Sequence, residues 1–193
     1  ELVYDQQRVT VDFLLLEAVI MFRTGDPDSA WRITDKILSV PELSPVTVAG
    51  KTHFLRGLIA DQRGDSDQLS REITALAKYT GPGGQADHKE LTGRLARLAG
   101  NWERAIEAFD ETARLRRQDR DYGEMAQALA LAADACRQAG HPKRAAVRYL
   151  RAGRSAVQQG NDLDAKKWFD RAVELAGQAG DESLKQEAGS YLK

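Results

Sequence analysis

Five two-residue signals punctuate this 193-residue chain: Gly25-Asp26, Gly64-Asp65, Gly100-Asn101, Gly140-His141 and Gly180-Asp181. The successive glycines lie 39, 36, 40 and 40 residues apart. Each pair reads as a tight turn leading into a helix, and a fixed period of this size marks a chain of stacked helical repeats. The clearest copy runs from Gly100 to Phe109, where Ala105 and Phe109 share one helical face. An all-α fold of about five helix pairs is expected.

Taken in order, the pattern predicts a first helix over residues 5–24. On it Val9, Phe13, Leu16 and Ile20 share one face, while Leu14, Leu15, Val19, Met21 and Phe22 make the rest apolar. A helix apolar nearly all round is expected to be covered on two sides. Asp26 then serves as N-cap and Pro27 as first helical residue of a second helix, which carries Ala30, Trp31, Ile33, Ile37 and Leu38 and stops before Pro41. Ser44-Pro45 opens a third helix reaching about Arg63, and a fourth contains Leu69, Ile73, Leu76 and Tyr79. Thr80 to Gln85 is the only glycine-proline cluster, read as a flexible connector. It lacks both the Gly-Lys-Ser/Thr and the preceding strand of a phosphate loop. Helices are then expected over 87–99, 102–118, 122–139, 142–159, 163–179 and 182–192, separated by short polar turns. The organisation predicted is an N-terminal pair of degenerate repeats (1–80), a connector (81–86) and a C-terminal repeat array (87–193). No segment alternates as a half-buried strand does.

Composition narrows the function classes. Lys plus Arg is 28 and Asp plus Glu is 29, so the chain carries no global attraction to nucleic acid or anionic membrane. The single Cys136 excludes an internal disulfide framework. The longest apolar run, residues 13–22, is broken by Glu17 and is too short to span a bilayer. Arginine outnumbers lysine and alanine is abundant, as in GC-rich bacterial coding. The chain begins at Glu1 and not Met, which fits either a boundary or a removed leader. With a leader, a periplasmic or lipid-tethered envelope setting is expected; otherwise a cytoplasmic one.

These residues resemble the tetratricopeptide repeat (TPR) family, in its longer, roughly 40-residue form. One unit matches through Gly93, Gly100, Trp102, Ala105, Phe109 and Thr112, the last standing in for an alanine. The next matches through Leu129, Ala132-Ala133, Gly140, Ala145, Tyr149 and Ala152. Small residues let two helix backbones approach, and an aromatic fills the remaining groove. The first unit keeps Ala18, Gly25 and Ala30 but has Thr34 for the aromatic; the second keeps Gly57 and Gly64 but has Ser70 and Thr74. Helix 163–179 fits two registers: Ala165, Phe169 and Ala172 mark a second helix, whereas Trp168, Ala172 and Leu175 mark a first. The resemblance implies a right-handed α-α superhelix.

No chemistry stands out. His53, His88 and His141 fall in different units without metal-ligand spacing, and Asp87, His88 and Glu90 are read as the acidic start of a helix. Cys136 sits on a small-residue face as a core thiol. Arg114, Arg116, Arg117 and Arg120, interleaved with Asp119 and Asp121, close a helix where cations complement its dipole. No cofactor, metal or catalytic site is expected, and no nucleic-acid partner.

The family's first helices line a groove that holds a peptide or partner helix. Transferring that register places Phe54, Leu58 and Asp61, then Arg94 and Arg97, then Gln127, Asp134 and Arg137 on the groove. The arginines there could take a carboxylate bidentately. The Lys and Asn pattern of the family's chaperone-binding carboxylate clamp is not reproduced. The expectation is a non-enzymatic protein-binding adaptor, with a ligand- or signal-peptide-sensing regulatory domain as the alternative. The apolar first helix is a candidate for self-association.

Overall fold

The computed structural model describes residues 2–39, 46–79 and 81–192; of residues 2–9, 46 and 82 only the backbone is described. The side chain of Val9, and the expected signals at Pro41, Ser44, Pro45 and Thr80, lie outside the described residues. Among the described residues the chain forms ten α-helices and a terminal 3-10 turn, with no strand. It divides into two compact units, residues 1–91 and 92–193.

The first unit holds α1 (Leu2–Arg23), α2 (Pro27–Leu38), α3 (Val46–Arg63), α4 (Ser66–Leu76) and the start of α5 (Pro82–Leu98). The second continues with α6 (Trp102–Gln118), α7 (Tyr122–Gln138), α8 (Pro142–Gln158), α9 (Asp162–Gln178) and α10 (Glu182–Gly189), followed by the 3-10 turn Ser190–Leu192. Helix α5 begins at Pro82, so the glycine-proline cluster expected as a connector over 81–86 forms its first turn. Proline is pre-set for a first helical turn, where its missing N–H has no intrahelical partner to lose. Asp87, His88 and Glu90 consequently lie inside α5 and not at its start, and both carboxylate residues are buried.

One turn geometry recurs seven times. Gly25, Gly64, Gly100, Arg120, Gly140, Gly160 and Gly180 all adopt left-handed backbone, with φ between 61° and 92°. The amide of each donates to the carbonyl three residues back at 3.0–3.2 Å. The next amide donates five residues back at 2.8–3.0 Å. This double closure is the Schellman motif, which satisfies carbonyls that the helix end leaves open. In six of the seven the following Asp or Asn side chain then accepts an amide three residues on, at 2.9–3.2 Å, capping the next helix. His141 makes no such bond; Pro142 starts that helix instead. From α6 onward the helices begin at residues 102, 122, 142, 162 and 182, so the unit step is 20 residues. The sequence spacing of 40 counted every second turn: it passed over Arg120, which has no glycine, and over Gly160-Asn161, which carries the same pair as Gly100-Asn101.

Packing in the second unit follows from small residues facing aromatics. Ala126, Ala128, Leu129, Ala132, Ala133, Ala135 and Cys136 of α7 are buried together with Ala145, Tyr149 and Ala152 of α8. A Cβ on Gly93 would sit 2.7 Å from the Phe109 ring, and one on Gly153 would sit 2.6 Å from the Phe169 ring. Both rings are fully buried, worth about 1.5–3 kcal/mol each in removed apolar surface. The two registers of helix 163–179 are therefore both used: Phe169 packs on α8, while Trp168, Leu175 and Ala176 extend the same core in which Leu184 and Ala188 of α10 lie.

The first unit has a separate core of Val11, Ala18, Ala30, Ile33, Ile37, Val48, Leu55 and Ile59. Thr34, in the position of an aromatic, is fully buried, and its hydroxyl donates to the Trp31 carbonyl at 2.6 Å. The small side chain fits because its polar atom is satisfied within its own helix. Helix α1 departs from expectation. Its core face is Val11 and Ala18, flanked by the half-buried Leu14, Leu15 and Val19, whereas Phe13, Leu16 and Ile20 are 66, 55 and 49% exposed.

Two substitutions test this packing. Gly153→Ala should lose about 1–3 kcal/mol, because the Phe169 ring blocks the added methyl. Gly123→Ala, with open space around it, should instead gain about 0.5–1 kcal/mol. Equal effects in chemical denaturation would contradict the α8–α9 contact. Arg120→Gly should stabilise by about 1 kcal/mol, since it removes a side chain from left-handed backbone; a loss would show that the turn does not need that geometry.

Candidate functional site

In the first unit the polar residues converge on Glu72 of α4, which is only 4% exposed. His53 Nδ1 lies 2.7 Å from one carboxylate oxygen, and Arg56 Nε donates to the other at 2.9 Å. Gln68 Nε2 donates to that second oxygen at 2.5 Å. Arg56 also reaches Asp35 of α2 at 2.5 Å and stacks 3.8 Å above the Trp31 ring, with Arg63 also over that ring, 5.3 Å from its centroid. Burial raises the Glu72 carboxyl, but the His53 and Arg56 contacts outweigh it and hold it below the usual carboxylate range. The network ties α2, α3 and α4 together. Of the expected groove residues in this unit, Phe54 and Leu58 are half-buried on α3 and Asp61 is buried.

The second unit carries a cleft of about 310 Å³ between α7 and α9. Gln127, Ala130, Leu131 and Asp134 of α7 form one wall, Lys167, Trp168 and Arg171 of α9 the other, and Tyr149 of α8 closes the floor. Gln127 Nε2 donates across it to Asp164 at 3.3 Å, and the Tyr149 hydroxyl donates to Asp134 at 2.7 Å. Burial, then the Asp134 carboxylate, pushes the Tyr149 phenol far above its ordinary value, so it remains a donor at any physiological pH. Trp168 is buried to 4% exposure, whereas Lys167 and Arg171 are exposed.

Sequence reasoning reached part of this cleft. Gln127 and Asp134 line it, and Arg137 adjoins it by pairing with Asp134 at 3.8 Å. Arg94 and Arg97, half-buried on α5, do not line it. Lys167, Trp168 and Arg171 were missed as site residues because helix 163–179 fitted two registers, and Tyr149 of α8 because it was read only as the aromatic that packs its unit.

Away from the cleft, α6, α8 and α10 are joined by charge pairs at spacings of 33–41 residues. Glu103 meets His141 at 2.9 Å and Arg144 at 3.2 Å; Asp110 takes Arg148 through both nitrogens, at 3.0 and 2.5 Å. Lys143 meets Asp181 at 2.9 Å, and Arg154 binds Glu187 and the Tyr191 hydroxyl. Two members of the basic run are likewise paired, Arg114 with Glu111 at 2.7 Å and Arg116 with Asp121 at 3.8 Å. Cys136 is fully buried, and burial raises its thiol, which makes it a poor nucleophile. Among the described residues no group of three His, Cys, Asp or Glu side chains is placed to hold a metal ion, and no helix is long and apolar enough to cross a membrane.

No protein-family model matches the sequence, and no curated protein matches it. Solved structures do. The apo form of RapI aligns with a TM-score of 0.67 at 12% identity, covering 94% of this chain and 67% of that one. PilF of Pseudomonas aeruginosa aligns with a TM-score of 0.58 at 16% identity, covering 98% and 92%. At such identities the likeness concerns the fold, an all-α helical-repeat solenoid of TPR type.

The Glu72 network sets a pH dependence. A carboxyl held below its free value stabilises the fold above about 4.5 and loses that contribution as the pH falls through the lowered value. Glu72→Gln should therefore cost about 2–3 kcal/mol at pH 7, by removing the buried anion that His53 and Arg56 share and leaving Arg56 only the exposed Asp35. Urea unfolding followed against pH should show this gap closing in acid; a gap constant from pH 7 to pH 3 would contradict the ionised network.

Proposed function

We propose that this chain is a non-enzymatic interaction scaffold that binds a peptide or partner helix in the α7–α9 cleft. The observation that carries the reading is the composition of the cleft: a buried Trp168 and a satisfied Tyr149 at its base, Leu131 beside them, and Gln127, Lys167 and Arg171 at its rim. An aromatic floor supplies apolar contact at small entropic cost, and rim donors fix orientation. Asp134 is engaged by Tyr149 and Arg137, Gln127 by Asp164 and Arg171 by Glu174, so a partner would share or exchange these exposed rim pairs, with Lys167 beside them. A repeat of stacked helices offers extended surface of this kind without an enclosed catalytic pocket. Arg137 belongs to the same surface. Arg94 and Arg97 are proposed as part of the binding surface of the second unit, and Phe54, Leu58 and Asp61 as a first-helix face of the first unit taken by itself; the organisation proposed remains 1–80, 81–86 and 87–193, with α5 starting at Pro82.

A ligand-sensing reading is favoured by one dimension alone: the cleft of about 310 Å³ matches the lower end of small-molecule sites. One comparison separates the two. Wild type and a Lys167→Glu, Arg171→Glu variant, both exposed positions, are used as bait in extracts of the source cell. The scaffold reading expects one stoichiometric protein captured by wild type and lost from the variant. Equal capture by both would move the site elsewhere. No capture, with thermal stabilisation by a small acid, would establish the sensing reading instead.

A further inference from the structure

Along α6 and α8 the charge pairs follow one line. Glu103 meets His141 and Arg144, and Asp110 takes Arg148 through both nitrogens. Beyond Asp110 the line changes character. The next residues at helical spacing are Arg114 and Arg117 on α6 and Arg151 on α8, and all three line one cleft of about 110 Å³. Arginine therefore stands on both helices where the earlier pairs set an acid against a base. Like charges brought together repel, and an anion between them removes that cost.

The charges around this cleft can be matched one by one. Asp110 also lines it but is taken by Arg148, and Glu111 holds Arg114 through both oxygens at 2.7 Å. Arg117 and Arg151 are left over. Both are exposed, and among the described residues neither side chain has a hydrogen-bond or ion-pair partner. The rest of the lining is apolar: Ala113 and Leu129 are buried, and Met125 of α7 is half-buried.

An exposed ion pair alone contributes little, so an occupant has to use the apolar lining as well. The cleft is smaller than the cavity of about 150 Å³ that takes a benzene ring, which limits the apolar part to about four carbons. A carboxylate is also the anion that this chain already sets between two cations, Glu72 giving one oxygen to His53 and the other to Arg56. Guanidinium groups suit it by their paired donors.

We propose that the cleft between α6, α7 and α8 binds a short aliphatic monocarboxylate, with Arg117 and Arg151 holding its oxygens and its chain lying against Ala113, Met125 and Leu129. This cleft shares no lining residue with the α7–α9 cleft, so the inference stands apart from the scaffold reading.

The chain has two methionines, Met21 in the first unit and Met125 in this lining, so methyl NMR on methionine-labelled protein supplies a reporter and an internal control. Pentanoate, titrated at constant ionic strength, should shift the Met125 signal saturably and leave Met21 in place. Acetate should bind many-fold more weakly, since each buried methylene is worth up to about fourfold in affinity. Arg117→Ala with Arg151→Ala, both at exposed positions, should abolish the shift, whereas Lys167→Glu with Arg171→Glu should keep it. No saturable shift of Met125, equal affinity for acetate and pentanoate, or inorganic phosphate binding as tightly as pentanoate overturns the proposal. So does binding that survives the loss of both arginines, or that disappears in the α9 variant.

Discussion

The left-handed residue that closes seven of the ten described helices governs this architecture. A helix end leaves carbonyls without partners, and the seven turns satisfy them within three residues by reversing one backbone dihedral. The chain must then turn back beside the helix it has just left. Six of the turns hand directly to a side-chain cap, each worth about 1 kcal/mol, so end and start are specified by two adjacent residues. The 20-residue step from α6 to α10 follows from that economy: a 17-residue helix and a three-residue turn, repeated.

A constant step makes every interior helix two-sided. Each must pack on the helix before it and the helix after it, which explains the alanine content of α7 and the close approach of Gly93 to Phe109 and Gly153 to Phe169. It also separates chemistry by face. The α6, α8 and α10 surface spends its charges on mutual pairs such as Asp110–Arg148, while the α7–α9 side keeps an aromatic-floored cleft with donors at its rim. Of the arginines that close α6, Arg114 and Arg116 are occupied within the protein, by Glu111 and Asp121.

Much of this was legible in the amino-acid order, because turns of this type require particular residues. The Gly-Asp and Gly-Asn pairs marked the helix ends, and the helix 102–118 was bounded correctly by them. Arg120 escaped because its turn relies on hydrogen bonds that an arginine can make at a modest strain. Pro82 misled in the opposite way: a glycine-proline cluster signals a loop, yet proline is equally at home in a first helical turn. Two of the eight residues lining the cleft were legible, Gln127 and Asp134, through the repeat register. Trp168 and Arg171 were not, since periodicity cannot say which of two faces of a two-sided helix borders a cleft. The exposure of Phe13, Leu16 and Ile20 was equally hidden, because composition alone does not tell a covered apolar stripe from an open one.

The central claim is that partner binding uses the α7–α9 side. Amide hydrogen exchange on the partner complex tests it directly. Binding should slow exchange in residues 127–137 and 164–171 while leaving α6 unchanged. Protection confined to the outer surface of α6 and α8, with α7 and α9 unaltered, would contradict it.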